Sequence, residues 1–357
     1  EYVARGTYIY PPKASLRLSA DLIGYCSSHV PKWNSISISG YHIRDAGSTA
    51  AQEIAFTFAN AIAYIEAVCS QGIDIDDFAP RISWIFNTHN NFLEEIAKYR
   101  ALRRLWAKIV KERFKAKNPR SCMLRTHIQT GGSTLTAQQP ENNIVRAAIQ
   151  SLASILGGVQ SMALSCYDEA LAIPTDDAQR IALRTQQVLA YETGVTDTVD
   201  PLAGSYYVEH LTNQLEKQAS DIMDKIEDMG GAVTAIEDSW MQREITSAAY
   251  KYQQEIEDGT RVIVGVNQFT DGPKQSPGIF KVDPSVAKIQ TNKIAQLKSE
   301  RNQKEVANSL NHLREEALGN KNLFPPILAS VKSYATTGEI CDTLREAFGE
   351  YQPHTEV

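Results

Sequence analysis

Long apolar runs and paired cysteines are both missing from the sequence. No stretch of its 357 residues approaches the roughly 20 apolar residues that a membrane-spanning helix needs, and no secretory signal opens it. The five cysteines are scattered and never form a CxxC pair, which argues against a disulfide framework and against a zinc site. These absences predict a cytoplasmic protein without a membrane partner.

A basic excess is missing as well. The formal net charge is -6 at pH 7, whereas a nucleic-acid surface needs positive charge to neutralise phosphates. One basic cluster follows a helical pattern with acidic neighbours, which is more typical of a solvated helix face than of a phosphate site. Its members are Arg100, Arg103, Arg104, Lys108, Lys111 and Arg113. We therefore predict no nucleic-acid partner.

Short β-branched or apolar runs alternate with amphipathic patterns, which predicts βα units and a parallel sheet. The predicted strands are residues 35–42, 81–86, 122–129, 159–166 and 261–267. The predicted helices between them are residues 49–69, 91–111 and 142–156. These strands form either an open doubly wound sheet or part of an eight-stranded (β/α) barrel. No GxGxxG follows a strand, whereas polar residues at strand ends are typical of a barrel mouth.

The second half of the sequence is more helical. Residues 209–258 read as nearly continuous helix with a break at Gly230 and Gly231, and a charged helical region covers 284–350. The run DGPKQSPG between them predicts a linker. We therefore expect a partial α/β barrel at 1–271, followed by a linker and a helical C-terminal extension at 272–357.

The first predicted strand carries serine at alternate positions. Ser35, Ser37 and Ser39 share one face, because side chains alternate along a strand. Ile36 and Ile38 share the other face, which helices should cover, since each burial contributes roughly 1.5–3 kcal/mol. The serines would then line a narrow polar passage along the barrel axis. An edge strand with its serines in water is an equally good interpretation of this segment alone.

Polar side chains collect at the ends of the other predicted strands too. His42 ends the first strand, although a single histidine there is more often structural than catalytic. No HxH pair and no acidic residue in ligand spacing accompany it, so no metal site is expected. No GxSxG elbow is present either. Such a site is suited to holding a substrate while a cofactor breaks the bond.

Several long segments resemble the methylmalonyl-CoA mutase family. They include EYVARGTYIYPP, PKWNSISISGYHIRDAGST, RTHIQTGGSTLTAQQPENNIVRAAIQSLAS and DPLAGSYYVE, and the resemblance extends to about residue 351. It implies an eight-stranded barrel whose first strands and cobalamin-binding domain are not in this chain. It also implies adenosylcobalamin as cofactor and an acyl-CoA substrate threaded along the axis. The implied reaction is a radical isomerisation between methylmalonyl-CoA and succinyl-CoA.

The resemblance implies roles for single residues near the reacting carbons. His42 would hydrogen-bond the thioester carbonyl with Tyr41 packed beside it, and Gln129 with His127 would orient the acyl group. Arg5 would pair with the free carboxylate of a malonyl- or succinyl-type substrate, because guanidinium binds a carboxylate through two parallel hydrogen bonds.

Further roles concern coenzyme A and the cofactor. The implied coenzyme A contacts are Arg81, Ser83, Gln160 and Ser161. The implied cofactor contacts are Glu169, which would hold the adenosyl ribose, and Ser165. The implied partners are a cobalamin-binding small subunit or domain and further subunits in a homodimer or heteromer. By itself, the chain is expected to be inactive.

Two positions depart from the family pattern. Ser165 stands where an amide side chain is usual, and Ile85 stands where many members carry an aromatic residue. Both leave open a mutase for the bulkier ethylmalonyl- or alkylsuccinyl-CoA. A sister mutase for isobutyryl- or 2-hydroxyisobutyryl-CoA is a further alternative, and Arg5 speaks against it. A non-catalytic partner subunit of a heterodimer is the other alternative. Retention of Arg5, His42 and Glu169 speaks against it.

Overall fold

In this computed structural model, which describes residues 2–271, 278 and 280–353, short strands alternate with helices. The strands are β1 (Ser37–Ser39), β2 (Ser83–Thr88), β3 (Thr126–Thr130) and β4 (Ser161–Ala163). The first helices are α1 (Pro12–His29), α2 (Tyr41–Asp45), α3 (Ala50–Cys69), α4 (Ile75–Phe78), α5 (Phe92–Lys108), α6 (Asn142–Leu156) and α7 (Asp176–Glu192). The later helices are α8 (Tyr206–Asp228), α9 (Ala232–Glu237), α10 (Trp240–Glu257), α11 (Pro284–Glu300), α12 (Gln303–Leu318), α13 (Phe324–Lys332) and α14 (Thr337–Phe348). Among these described helices, none has both the length and the apolar character needed to cross a bilayer.

Within the described residues, the strands form one parallel sheet in the order β1-β2-β3-β4. Ser39 lies opposite Ile85, Ile85 opposite His127, and His127 opposite Ser161. Helices connect each strand to the next, as in repeated βα units. The predicted α/β fold with a parallel sheet is confirmed, and it is consistent with part of a (β/α) barrel.

One face of the sheet is apolar and packs under helices. Ile38, Trp84 and Phe86 are buried on this face. The Trp84 ring packs edge-on against Phe58 of α3 and Trp106 of α5, with centroids 5.4 and 4.7 Å away. Burial of each such side chain contributes about 1.5–3 kcal/mol, so this face holds the strands and helices together.

The opposite face carries mainly polar side chains that are half-buried or exposed. In β1, Ser37 and Ser39 lie on this face while Ile38 is buried, so the predicted separation of serine from isoleucine is confirmed. The face continues with Ser83 and Ile85 of β2, His127 and Gln129 of β3, and Ser161 of β4. That this face encloses a barrel axis stays a prediction.

The predicted strand at 261–267 is wrong. These residues form turns, with a single bridge between Val264 and Gln268. The Asn267 side chain donates to the carbonyl of Arg261 and accepts from the backbone N–H of Ile263. Backbone groups that a neighbouring strand would pair are therefore occupied by one amide side chain.

The chain divides into two compact units. The first contains the residues up to Gly6 together with Ile36–Ala63 and Ile75–Phe280, and it includes the sheet. The second contains Thr7–Ser35, Tyr64–Asp74 and the residues from Lys281 onward. The predicted division at 271/272 stays a prediction, because residues 272–277 of the DGPKQSPG linker lie outside the described residues.

The second unit is built from helices, as predicted for 284–350. Arg17 of α1 donates to the carbonyl of Ala317 near the end of α12, and the Asp21 carboxylate accepts from the backbone N–H of Leu323. Both contacts tie α1 to the helical extension. The buried core between these helices consists of Tyr10, Leu313, Ala317, Leu323, Ile340 and Leu344.

A capping box begins α14. The Thr336 hydroxyl accepts from the backbone N–H of Glu339, whose carboxylate accepts from the backbone N–H of Thr336. The same carboxylate receives both terminal nitrogens of Arg301, at 2.5 and 2.7 Å. The Arg301 side chain is only 5% exposed. Its hydrogen bonds hold the pKa of Glu339 well below the usual range.

We expect Glu339→Ala to lower the free energy of unfolding by about 3 kcal/mol, because it removes the carboxylate half of the capping box and leaves the buried Arg301 charge without its carboxylate. Urea unfolding followed by circular dichroism measures this change. Glu346→Ala on the same helix is the control, since Glu346 pairs with Arg314 at the surface and should cost less than about 1 kcal/mol. Equal losses in the two variants would contradict the interpretation.

Candidate active site

Helix α2 begins immediately after β1, at the carboxyl end of the sheet. The predicted strand 35–42 is therefore too long, and Tyr41 and His42 lie on a helix. Gly40 makes the turn possible, because a Cβ there would lie 2.7 Å from Phe86 and from the Thr57 hydroxyl. A residue without a side chain is required at this close approach.

His42 contacts one predicted site residue, Arg5, and one residue predicted only to line the polar passage, Ser39. Its Nδ1 lies 3.0 Å from the Ser39 hydroxyl, and its Nε2 lies 3.3 Å from Nη1 of Arg5. A guanidinium can only donate, so Nε2 accepts and the ring proton of a neutral imidazole resides on Nδ1, which donates to Ser39. The structure thus brings Arg5 and His42 together, although they lie 37 positions apart in sequence.

Tyr41 is buried beside His42, with the two rings edge-on at 5.5 Å. Its hydroxyl accepts a 3.2 Å hydrogen bond from the backbone N–H of Gly132. Burial, followed by the nearby Asp45 carboxylate, raises the pKa of Tyr41 to about 12. The side chain is therefore a neutral phenol at physiological pH.

Ser165 connects Gln129 to the loop that follows β4. Gln129 Nε2 donates to the Ser165 hydroxyl at 3.2 Å, and that hydroxyl donates to the carbonyl of Thr130 at 2.8 Å. Ser165 also interacts with Tyr41 and with the carboxylate of Glu169. Four predicted residues, Tyr41, Gln129, Ser165 and Glu169, thus form one group, with Ser165 at its centre and Thr130 fixing it to β3.

Glu169 is half-buried beside this group. Burial raises the pKa of its carboxyl group, an effect that the neighbouring Ser165 side chain opposes and the Asp45 carboxylate supports. Gly132 closes the arrangement, since a Cβ there would lie 3.0 Å from Glu169 Oε1 and 3.1 Å from the Tyr41 hydroxyl. The glycine therefore allows the carboxylate and the phenol to approach the same backbone.

The next contacts lie along the polar face of the sheet. His127 Nδ1 lies 2.8 Å from the Ser161 hydroxyl, its partner across β3 and β4. Burial lowers the pKa of His127, which favours the neutral ring. Both side chains point to the face that carries Ser39, so they extend the candidate site along the strands.

Three predicted residues lie toward the amino ends of the strands. The Ser83 hydroxyl donates to the carbonyl of Ile36, and the Gln160 amide bridges the backbone of Thr126 and Gly158. Arg81 precedes β2. These residues are separate from the group around Ser165.

A second positive charge accompanies Arg81. The pKa of Arg125 is lowered by burial and then by the Arg81 and Arg120 charges. The amino end of the sheet is thus cationic. No group of three or more His, Cys, Asp or Glu side chains in the described part of the chain is placed to bind a metal ion.

Comparison with known proteins identifies the family. Residues 1–350 match the family described as Methylmalonyl-CoA mutase. The chain belongs to the methylmalonyl-CoA mutase family. The resemblance noted in the sequence segments is thereby confirmed.

Similar mutases cover almost the whole chain. It is 43% identical to the 2-hydroxyisobutanoyl-CoA mutase large subunit of Aquincola tertiaricarbonis, over 99% of this chain and 63% of that protein. It is 44% identical to methylmalonyl-CoA mutase of Rhizobium meliloti, over 100% of this chain and 50% of that protein. It is 40% identical to the human mitochondrial methylmalonyl-CoA mutase, over 100% of this chain and 48% of that protein. The chain thus spans between about half and just under two thirds of the length of these relatives.

Sequence reasoning missed Ser39 as a partner of His42, and it missed Asp45 altogether. The Asp45 carboxylate accepts from the backbone N–H of Ser133 at 2.8 Å and from the Asn87 amide at 3.2 Å. A usable signal existed, because Asp45 lies in the same GYHIRDAG segment as His42. The sequence did not show which way the side chains of Ser39, His42 and Asp45 point.

A cluster of charged side chains from neighbouring helices lies at the end of β2, and we name it the Lys98 cluster. Its members are Arg44, Glu53, Glu94, Glu95 and Lys98. The Lys98 ammonium lies 2.7 Å from Glu53 and 2.5 Å from Glu95, and all three side chains are 0% exposed. Burial raises the pKa of Glu53 to about 7, although the neighbouring Lys98 charge lowers it.

The Lys98 cluster predicts a pH dependence of stability. The folded-state pKa of Glu53 is about 7 against an ordinary value of 4.5, so the folded protein holds this proton more tightly than the unfolded chain. The resulting stability is complete below about pH 4.5 and is lost as pH rises through 7. We expect Glu53→Gln to lose this slope between pH 5 and 8.

Thermal melts of both proteins across that interval measure the difference. Glu66→Gln, an exposed carboxylate on the same helix α3, is the matched control and should keep the wild-type slope. Parallel curves for wild type and Glu53→Gln would show that Glu53 does not titrate in this range.

Proposed function

We propose that this chain is the acyl-CoA-binding catalytic part of an adenosylcobalamin-dependent mutase that interconverts methylmalonyl-CoA and succinyl-CoA by a radical mechanism. The observation that carries the proposal is the contact between Arg5 and His42, 3.3 Å apart beside the carboxyl end of β1. A guanidinium suits the free carboxylate of the substrate, and an imidazole suits the thioester carbonyl. The carboxylate and the thioester carbonyl of a dicarboxylic acyl-CoA would thus each find a suitable group, Arg5 and His42, in neighbouring positions.

Substrate binding requires a change of hydrogen bonds at His42. Arg5 would turn from Nε2 of His42 to the substrate carboxylate. His42 would then need a proton on Nε2 in order to donate to the thioester carbonyl. The Ser39 hydroxyl permits this tautomer, because a hydroxyl can donate to Nδ1 as well as accept from it. Ser39 therefore holds the ring in either state.

The polar face of the sheet supports binding of the pantetheine arm. Small hydroxyl side chains at Ser37, Ser39 and Ser161 leave space and offer hydrogen bonds. At the amino ends, Arg81 and Arg125 provide positive charge for the phosphates of coenzyme A. We propose that Ser83 and Gln160 contact coenzyme A in the same region.

The residues around Glu169 fit the adenosyl group of the cofactor. A half-buried carboxylate accepts ribose hydroxyls, and Gly132 leaves room where a Cβ would meet Glu169 and Tyr41. When bound, adenosylcobalamin supplies the radical that takes a hydrogen atom from the substrate. Glu169 and Ser165 would hold the ribose, and Tyr41 with Gln129 would exclude water from the reacting carbons.

The cobalt-binding residues are proposed to belong to a cobalamin-binding domain or small subunit, since the sequence contains no DxHxxG segment. A homodimer or heteromer with that partner is the proposed assembly. By itself, the chain should be inactive. A cytoplasmic location is also proposed, in keeping with five cysteines that form no disulfide in the structure.

A sister mutase is the second candidate. The 43% identity to a 2-hydroxyisobutanoyl-CoA mutase large subunit favours it, as does Ile85, which stands on the polar face between Ser39 and His127. Arg5 argues against a substrate without a free carboxylate. A panel of acyl-CoA thioesters, assayed with the full-length protein, its cobalamin-binding partner and adenosylcobalamin, distinguishes the two candidates.

His42→Ala should lower turnover of the complete enzyme about tenfold to a hundredfold, because it removes the donor to the thioester carbonyl. Steady-state kinetics with methylmalonyl-CoA measures this effect. His312→Ala, an exposed histidine on α12, is the control and should leave the rate unchanged. An unchanged rate in His42→Ala would end the assignment.

Arg5→Gln should change the choice of substrate. Loss of the charged fork should lower kcat/KM for methylmalonyl-CoA about tenfold to a hundredfold relative to an uncharged branched acyl-CoA, in line with a charge-assisted hydrogen bond of about 1.5–3 kcal/mol. Arg5→Lys keeps the charge without the fork and should fall between the two. If the ratio of kcat/KM for the two substrates were the same in the wild type, Arg5→Gln and Arg5→Lys, Arg5 would not recognise the carboxylate.

A further inference from the structure

Helix α2 carries Tyr41 and His42 but has little stability of its own. It contains only five residues, and no side chain caps its amino end at Gly40. Isolated helices of this length do not persist in water, because too few hydrogen bonds offset the cost of ordering the backbone. Its orientation must therefore come from contacts made by its other side chains.

Arg44 provides the first of these contacts. Its side chain is 11% exposed, and Nη2 lies 3.7 Å from Glu94 and 3.7 Å from Glu95 of α5. Its other terminal nitrogen donates to the carbonyl of Ser48, beyond the end of α2. One guanidinium thus joins α2 and the following turn to the Lys98 cluster.

Asp45 provides the second contact. Its carboxylate accepts from the side-chain amide of Asn87, a buried residue of β2. Asn87 is itself fixed on both sides: its N–H donates to Glu53 at 2.9 Å, and its carbonyl accepts from Lys98 at 2.6 Å. The same buried charges therefore hold α2 twice, through Arg44 directly and through Asn87 and Asp45.

Stability alone is a poor explanation for such a cluster. Buried ion pairs lose the hydration of each charge, and well-packed apolar residues are often as stabilising in their place. The Lys98 cluster contains two basic and three acidic side chains, so at least one carboxyl group has no cation of its own. The hydrogen bonds from the cluster to the Asn87 backbone, by contrast, are directional and fix the end of β2. The Arg44 ion pairs, at 3.7 Å, hold α2 beside that end.

We propose that the Lys98 cluster is a positioning device that fixes α2, and through α2 the side chains of Tyr41 and His42. Arg44 is its positioning residue on the helix. The structural part of the inference stands on the contacts of the cluster alone. Its consequence for catalysis rests on the proposed mutase function.

Hydrogen exchange measured by mass spectrometry tests the structural part in the full-length protein. Four amides report on α2 and its turn: Arg44, Ala46, Gly47 and Ser48, each donating to a carbonyl within residues 40–44. In Arg44→Met they should exchange at least about tenfold faster, while the amides of β3 and α6 keep their rates. Arg44→Lys keeps the charge and should give an intermediate rate.

Arg104→Met is the matched control, because Arg104 lies on α5 and pairs with Glu216 away from α2. Its α2 amides should exchange as in the wild type. Unchanged exchange of α2 in Arg44→Met would overturn the proposal. Faster exchange spread evenly over the whole chain would also overturn it, since Arg44 would then serve general stability.

Kinetics of the complete enzyme test the catalytic part. Arg44→Met should lower kcat at least about tenfold and change the KM for the acyl-CoA less than about twofold, because the proposed coenzyme A contacts lie on other elements. Partial recovery of kcat in Arg44→Lys is expected. Wild-type kcat in an Arg44→Met protein with a loosened α2 would overturn the catalytic consequence. A wild type inactive on every acyl-CoA tested would refute the mutase function, while the exchange data would still decide the positioning.

Discussion

The backbone of Asn87 is the point at which the sheet and the candidate site are joined. Buried Glu53 accepts from its N–H, and buried Lys98 donates to its carbonyl. Both hydrogen bonds involve side chains that are fully buried, where a low local dielectric strengthens them. They fix the carboxyl end of β2 between α3 and α5. Through the Asn87 amide and Asp45, the same point holds the last residue of α2.

The two faces of the sheet divide the remaining tasks. The apolar face contributes most of the burial, and aromatic side chains from α3 and α5 interlock with Trp84 there. The polar face contributes little burial, which leaves its serine, histidine and glutamine side chains available to a ligand. A second apolar face would hold the strands more firmly but would offer no hydrogen bonds to a polar ligand.

Much of the fold could be predicted because it depends on local patterns. Alternation of serine and isoleucine determined the faces of β1, and the 3.6-residue period located α3, α5 and α6. The strand expected at 261–267 failed for a non-local reason, since the Asn267 side chain occupies backbone groups that a strand partner would use. Lys98 looked like an ordinary helix residue. Only the packing of α3 against α5 shows that it is buried between carboxylates.

The site was predicted as a set of residue types, whereas its chemistry depends on hydrogen-bond direction. A histidine at the end of β1 could be recognised from the sequence, but the proton on Nδ1 follows only from Arg5 contacting Nε2. The Ser39 hydroxyl can either donate to Nδ1 of His42 or accept from it, whereas a group that only donates or only accepts could not do both. A backbone N–H would permit one tautomer of His42 and a carboxylate the other, while a hydroxyl permits both. A serine at this position therefore lets the imidazole accept a hydrogen bond from Arg5, as it does in this structure, or carry its proton on Nε2 and donate to another acceptor.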